Sequence, residues 1–269
     1  MSEGLYYADD HVALYHGDAR NLLPYMAGVD LVLADPPYGS TGHAWDRWPD
    51  GWPEQAAAVA KAMWCFGSMR VFLKHHGEIE AAGWRYSQDT IGTDDDGHMV
   101  WEKNTGSRPA ASDRLNCVHE HATFWYQGRW TDRYHEAPRV PNTGRHQGSA
   151  VRVAATGGGR LTGGQYGARE GWVDDGTRIL RSVIRAPSMR GKAIHPTEKP
   201  VTLLTPMLAY ACPPGGTVLD PFAGSGSTAV AARALGIHTV LIEDREEQCE
   251  ATAKRLSQAA FDFGDDRAS

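Results

Sequence analysis

Two short runs, Asp30-Leu31-Val32-Leu33-Ala34 and Thr217-Val218-Leu219, constrain the fold of this chain more than any other feature. Both are rich in apolar and β-branched residues and flanked by chain breakers, the pattern of strands buried on both faces of a parallel sheet. Each stops at an Asp-Pro step: Asp35-Pro36-Pro37-Tyr38 follows the first, and Asp220-Pro221-Phe222-Ala223-Gly224-Ser225-Gly226 the second. Open α/β sheets bind ligands outside the carboxyl ends of their parallel strands, so the two loops are candidate site elements.

The rest of the chain supplies a sheet around them. Val12-Ala13-Leu14-Tyr15 reads as a first strand, ending in His16-Gly17-Asp18-Ala19-Arg20 and a short helical stretch to about Met26. After Tyr38 comes a polar loop with Trp45-Asp46, a helix from about Pro53 to Met63, and a strand over Arg70-Val71-Phe72-Leu73-Lys74, which is βαβ alternation. Met99–Lys103 and Ala122–Tyr126 read as strands with no long helix between them, hence antiparallel near an edge. Beyond His195-Pro196-Thr197-Glu198-Lys199-Pro200 the pattern predicts a helix to about Ala211, a turn at Pro213–Gly216 and the second buried strand. It continues with a helix over 225–236, a strand Thr239–Glu243 and a last amphipathic helix over about 245–260. The expected architecture is one α/β sheet with helices on both faces, carrying an inserted region. Its parts are 1–128, the insertion 129–192, and 193–269.

The insertion stands out by charge. It holds eleven arginines and one lysine against five acidic residues, a local balance of +7 that leaves −13 for the rest of a chain whose net charge is −6. With Gly157-Gly158-Gly159 and Gly163-Gly164 it should be loop-rich, either an arm over DNA or a solvated insertion kept soluble by its arginines. At 269 residues and 41% hydrophobic content the chain can bury one sizeable core. No run approaches the roughly 18 apolar residues of a membrane helix, and the acidic start lacks a signal peptide's basic, then apolar, pattern. No membrane partner and a cytoplasmic location are expected. Cys65, Cys117, Cys212 and Cys249 are scattered, without metal-ligand spacing, so no metal is expected.

The loops carry chemistry. Gly224 and Gly226 let the backbone approach a ligand closely, and a helix starting near Ser225 aims free N–H groups at it. Glu243, at the end of the next strand, stands where nucleotide-binding folds place the acceptor of ribose hydroxyls. Phe222 reads equally as a ligand contact or a core aromatic beneath the loop. A dinucleotide-dependent oxidoreductase is the rival, and the missing third glycine counts against it. In Asp35-Pro36-Pro37-Tyr38, two prolines stiffen the loop and leave its carbonyls unpaired. If the Asp35 carboxylate and the Pro36 carbonyl each accept one hydrogen of a nucleobase amine, its nitrogen becomes more tetrahedral and its lone pair points at an electrophilic methyl. The base has to leave the duplex for this, and Tyr38 is placed to stack on it.

These motifs resemble the DNA amino-methyltransferases that move a methyl from S-adenosylmethionine to adenine N6 or cytosine N4, in the permuted beta group whose catalytic motif precedes the cofactor motif. The resemblance implies a Rossmann-like methyltransferase sheet, with 129–192 as the target-recognition region. It implies catalysis at Asp35, Pro36, Pro37 and Tyr38. Cofactor contacts are implied for Asp18, Ala19, Asp35, His195, Thr197, Lys199, Asp220, Pro221, Phe222, Gly224, Ser225, Gly226 and Glu243. Gly17-Asp18-Ala19 resembles the turn beside the cofactor's adenine, although Asp18 could equally cap a helix. His195–Pro200 resembles the stretch closing over the methionine end, although His195 could be a satisfied loop histidine and Lys199-Pro200 a helix start. Trp45-Asp46 and His119-Glu120 resemble further family pairs, with no role assigned. Cys212-Pro213 follows a helix on the cofactor side, so no catalysis is assigned to it.

An Asp at the first catalytic position usually accompanies adenine chemistry in this family, so the resemblance implies an adenine-N6 enzyme, with cytosine-N4 methylation as the alternative. A non-catalytic DNA-binding decoy is more distant, since nothing visible disables either loop. The implied partner is double-stranded DNA, read by arginines such as Arg145, Arg152, Arg160 and Arg169. A homodimer, a cognate restriction enzyme and a bacterial or phage origin go with the family.

Overall fold

A computed structural model describes residues 4–26, 28–39, 46–87, 98–107, 117–142, 175–187 and 198–262. The first half of the chain forms β1 (Leu5–Ala8), β2 (Val12–His16), α1 (Ala19–Leu22), β3 (Leu31–Ala34), α2 (Trp52–Val59), β4 (Ala62–Gly67), α3 (Met69–Ala81), β5 (Arg85–Tyr86), β6 (His98–Ser107) and β7 (Cys117–Tyr126). Then follow β8 (Arg139–Pro141), β9 (Thr177–Ile179), β10 (Val183–Arg185), α4 (Val201–Ala211), β11 (Thr217–Asp220), α5 (Ser227–Arg233), β12 (His238–Glu243) and α6 (Glu246–Asp262). The main sheet runs β1-β2-β12-β11-β3-β4-β7-β6-β10, with β5 also on β7. Its centre, β2-β12-β11-β3-β4, is parallel; β7 enters antiparallel between β4 and β6.

The buried strands show why the sheet needs helices on both faces. Leu31, Leu33, Trp64, Phe66 and Val218 pack on one face with Leu203, Leu204, Met207 of α4 and Ala231, Ala232 of α5. Their sequence neighbours Val32, Ala34, Met63, Cys65 and Leu219 pack on the other with Trp52, Ala56 of α2 and Val71, Phe72, Ile79 of α3. Val12, Leu14 and Leu241 pack with Cys249 and Leu256 of α6. Strand alternation, with both sides apolar, dictates a three-layer arrangement.

Two of the predicted elements take a different form in the structure. The predicted helix over 53–63 stops at Val59, and Ala62–Gly67 is a fully buried central strand. Ala-Met-Trp-Cys-Phe has no β-branched residue, so it reads locally as more helix; pairing between β3 and β7 decides it. The predicted strand Arg70–Lys74 lies in α3, where Ser68 caps the start by accepting from the Val71 N–H at 3.4 Å. Val71, Phe72 and Ile79 are buried while Arg70, Leu73 and Lys74 are exposed, a helical period. The antiparallel edge strand β1 was not anticipated, while β6 and β7 pair antiparallel as expected.

Of the expected insertion, 129–192, the described part includes strands that pair with each other and with the main sheet. β8 and β9 form a separate two-stranded ribbon, and β10 joins the main sheet beside β6. One of its arginines is structural: Arg133 is 9% exposed, with its guanidinium 3.3 Å from the Trp130 ring centre and near Phe124 and Tyr126. No helix among the described residues is long and apolar enough to cross a membrane.

Candidate active site

The topology brings the two Asp-Pro loops together. β3 and β11 are neighbours, with Val32 opposite Leu219, so Asp35 and Asp220 leave adjacent parallel strands at the same edge. β12 and β2 extend that edge, with Glu243 opposite His16. Asp18, Glu243, Asp220 and Asp35 thus follow one another along the carboxyl ends of four adjoining strands. β7 runs the opposite way, and His121 pairs with Gly67 at the end of β4. Glu120 therefore arrives at the same edge from the other direction.

The glycine loop is fixed by its own turn and by three outside braces. Gly224 and Gly226 have φ of 49° and 71°, in the left-handed region that favours glycine. A Cβ on Gly226 would come within 2.6 Å of Thr252 Cγ2, so the position is also sterically closed. The Gly224 N–H donates to Glu243 Oε2 at 2.8 Å, and its carbonyl accepts from the Thr252 hydroxyl at 2.7 Å. Arg255 Nη1 donates to the Ser225 carbonyl at 2.9 Å and pairs with Glu198 at 3.0 Å; Glu198 also accepts from Ser227 at 3.2 Å. Glu243 is buried, its other oxygen accepting from the Arg245 backbone and side chain at 3.1 Å. Burial raises its pKa against the pull of Arg245.

Asp220 is buried and accepts from the Thr228 hydroxyl at 2.5 Å and the Phe222 N–H at 3.0 Å. Burial pushes its carboxyl up to about 7, opposed by those two donors and assisted by the charges of Asp35 and Glu243. Pro221 is buried, and the half-buried Phe222 ring lies edge-on to Trp52 at 5.4 Å, in contact with the core. Asp18 caps α1, accepting from the Arg20 N–H at 2.9 Å, and forms an ion pair with that side chain at 2.6 Å; Ala19 beside it is buried. The Arg20 hydrogen bond lowers the Asp18 pKa.

The Asp35 carboxylate is held on both oxygens. Tyr38 donates its hydroxyl to Oδ1 at 2.5 Å, and Lys199 donates its ammonium to Oδ2 at 2.5 Å. Lys199, 7% exposed, also stands 3.5 Å from Glu120 Oε2 and 5.0 Å from the Phe66 ring centre. Burial alone would lower its pKa, but Asp35 and Glu120 more than reverse this, so the ammonium stays charged. The same charges and burial raise the Tyr38 phenol well above its ordinary value. Pro36 is buried and Pro37 half-buried. Lys199, expected at the cofactor, thus contacts the Asp35 loop, while its neighbour Glu198 braces the glycine loop. Asp46 is buried and accepts from the Gly39 N–H at 2.9 Å. His195, Thr197, Trp45 and the arginines 145, 152, 160 and 169 lie outside the described residues. Sequence reasoning gave no role of its own to Glu120, Glu198, Thr252 or Arg255; Glu120 and Glu198 carried a signal, in the His119-Glu120 pair and the His195–Pro200 stretch.

Comparison with known proteins gives this edge a family. The DNA methylase family model of the N6/N4 type matches residues 29–255, spanning both loops. The chain belongs to the N6/N4 DNA methylase family. It is 23% identical over 271 residues to the type II methyltransferase M2.LlaDCHI of Lactococcus lactis subsp. cremoris, covering 95% of this chain and 93% of that protein. It is 49% identical to the putative methylase YubD of Escherichia coli K12 over 67 residues, 30% of that protein. In fold it is similar to the M1.HpyAVI–SAM complex (TM-score 0.60, 20% identity, 91% of this chain and 99% of that one). It is also similar to the cytosine-N4-specific PvuII DNA methyltransferase (TM-score 0.61, 13% identity, 93% and 88%).

The methyl donor of this family is S-adenosylmethionine, and the described edge fits it. A row of carboxylates suits a cation and hydroxyl donors, and the Gly224–Gly226 loop allows close backbone approach at the end of β11.

Proposed function

We propose that this chain methylates adenine N6 in double-stranded DNA, at a base flipped into the edge between the Asp35 and Asp220 loops. The observation that carries the reading is the pair of Asp-Pro loops on adjacent parallel strands, with Asp35 half-buried at the junction. Bound S-adenosylmethionine supplies an electrophilic methyl. The chain's own residues do the rest: Gly224, Gly226, Asp220, Glu243 and Asp18 hold the donor, with His195, Thr197 and Lys199 at its other end in the sequence reading. Asp35 and the Pro36 carbonyl accept the hydrogens of the target amine and orient its lone pair in line. Such placement is worth about 7–11 kcal/mol of a barrier. The Tyr38 ring, tied to Asp35, offers a surface for the flipped base. The proton lost by the methylated amine leaves through the acceptors at Asp35.

Adenine is favoured by the Asp at the first catalytic position, the family's usual choice for that base. Residues 129–192 are the target reader in this proposal. The resemblance extends it to a homodimer and to a restriction enzyme sharing the recognition sequence. The test is nucleoside mass spectrometry of DNA incubated with methyl-labelled S-adenosylmethionine. Labelled N6-methyladenine is expected from the wild type and none from Asp35→Ala, which should still bind S-adenosylhomocysteine. Labelled N4-methylcytosine would move the substrate, and an active Asp35→Ala variant would remove Asp35 from the mechanism.

A further inference from the structure

If Asp35 accepts the target amine, its acceptor site is already filled. Oδ1 carries the Tyr38 hydroxyl and Oδ2 the Lys199 ammonium, both at 2.5 Å. An incoming amine has to share or displace one of them. The Tyr38 ring is packed against the core on both faces of the sheet and follows Asp35 by three residues through two prolines, so it has little freedom to withdraw. Lys199 ends in a flexible stem with three donor hydrogens. It cannot retreat to water, being 7% exposed above the Phe66 ring, and an unpaired buried ammonium is strongly disfavoured. Among the described residues an alternative anionic seat is in reach, Glu120 Oε2 at 3.5 Å, on the antiparallel strand that enters this edge from the opposite direction.

We infer that Lys199 gates the amine-accepting oxygen of Asp35, and that Glu120 is the positioning residue onto which the ammonium shifts when the base enters. The inference rests on the role proposed for Asp35. In the base-free state Lys199 neutralises Asp35 and keeps it from collecting other donors. As the amine arrives, the ammonium transfers its hydrogen bond to Glu120 and remains paired. No covalent bond changes in this step and no proton moves. Glu120 then belongs to the acceptor side of the site and not to the cofactor side.

Single-turnover methylation by purified full-length variants tests this. Glu120→Gln removes the second charge, so Lys199 stays on Asp35; transfer should slow by about tenfold, the size of losing one charged partner, with unchanged S-adenosylhomocysteine affinity. Removing the ammonium as well should make Glu120 irrelevant, so Glu120→Gln/Lys199→Met should match Lys199→Met alone. A salt bridge that only stabilises the fold would not show this epistasis. A wild-type rate in Glu120→Gln, or losses that multiply in the double variant, would overturn the gate. Should Glu120→Gln not fold, Glu120→Asp, which draws the charge back by one methylene, should be slower than wild type at equal cofactor affinity, and a wild-type rate there overturns the gate equally. If wild-type protein labels no DNA, the function proposed above fails. If it labels DNA, Asp35→Ala does not and Glu120→Gln is unimpaired, the gate alone fails.

Discussion

Asp220 carries the site's clearest conflict between burial and charge. Its carboxyl is pushed up to about 7 from an ordinary 3.8. Between those values the folded protein keeps a proton that the unfolded chain has lost. The contribution is therefore fully present below about pH 4 and is lost as pH rises through 7, the direction opposite to a salt-bridged carboxylate. Asp220→Asn keeps an acceptor for the Thr228 hydroxyl and removes the titration. It should raise stability at pH 8 relative to pH 5 by on the order of 3 kcal/mol more than wild type changes. Thermal unfolding of both proteins across that range measures it, and parallel curves would mean that Asp220 is already solvated. The places of Asp35, Asp220 and Glu243 at adjoining strand ends were legible in the sequence, because strand ends and Asp-Pro steps are local signals. The contacts of Lys199 with Asp35 and Glu120 were not, because they join three distant segments and depend on side-chain reach. Asp18 caps α1 just beyond the carboxyl end of β2.

The parallel strands were legible for the same local reason, as continuous apolar runs bounded by breakers. The misread stretch is Ala62–Ala81, where Ala62–Gly67 lacks β-branched residues and the cap at Ser68 is a single hydroxyl. What sets α3 in place is tertiary. Glu78 accepts from Trp48 Nε1 at 2.8 Å and from the Gly51 N–H at 3.0 Å, and contacts His75 Nδ1 at 3.2 Å. Trp48 stacks on His75 at 4.1 Å. This clamp fastens Trp48 and Gly51 to α3, and Asp46, just before them, accepts from the Gly39 N–H. Glu78→Ala leaves the indole N–H of a nearly buried tryptophan without its acceptor, so a loss of about 1–3 kcal/mol is expected in equilibrium denaturation. Glu78→Gln, which can still accept one bond, should lose less. An unchanged midpoint for Glu78→Ala would show that aromatic packing alone holds the segment.

At the scale of the molecule, residues 129–192 carry a net +7 against −13 elsewhere, and the structure narrows which of these charges could serve the target reading proposed above. Arg133 is enclosed by aromatic rings, Arg129 pairs with Asp132 at 2.8 Å, and Arg139 pairs with Asp175 at 3.1 Å. Of these only Arg133 is spent within the protein; the Arg129 and Arg139 side chains stay 82% and 49% exposed, and such exposed pairs hold an arginine only weakly. The β8–β9 ribbon, closed by Asn142 donating to the Gly176 carbonyl at 2.8 Å, brackets the stretch that contains Arg145, Arg152, Arg160 and Arg169. Phosphate contacts release counterions, so binding weakens linearly on a log–log salt plot, with a slope of about 0.9 per contact on duplex DNA. Replacing those four arginines by alanine should reduce the slope by up to about 3–4 and weaken binding to any sequence. S-adenosylhomocysteine affinity should not change, since the cofactor contacts proposed above all lie outside residues 129–192. An arginine that reads a guanine instead would lose discrimination at one base pair, by about 1–3 kcal/mol. Single replacements scored against both salt slope and sequence preference separate the two roles. A quadruple variant with wild-type slope would assign target binding to charges elsewhere in the chain and remove 129–192 as the reader.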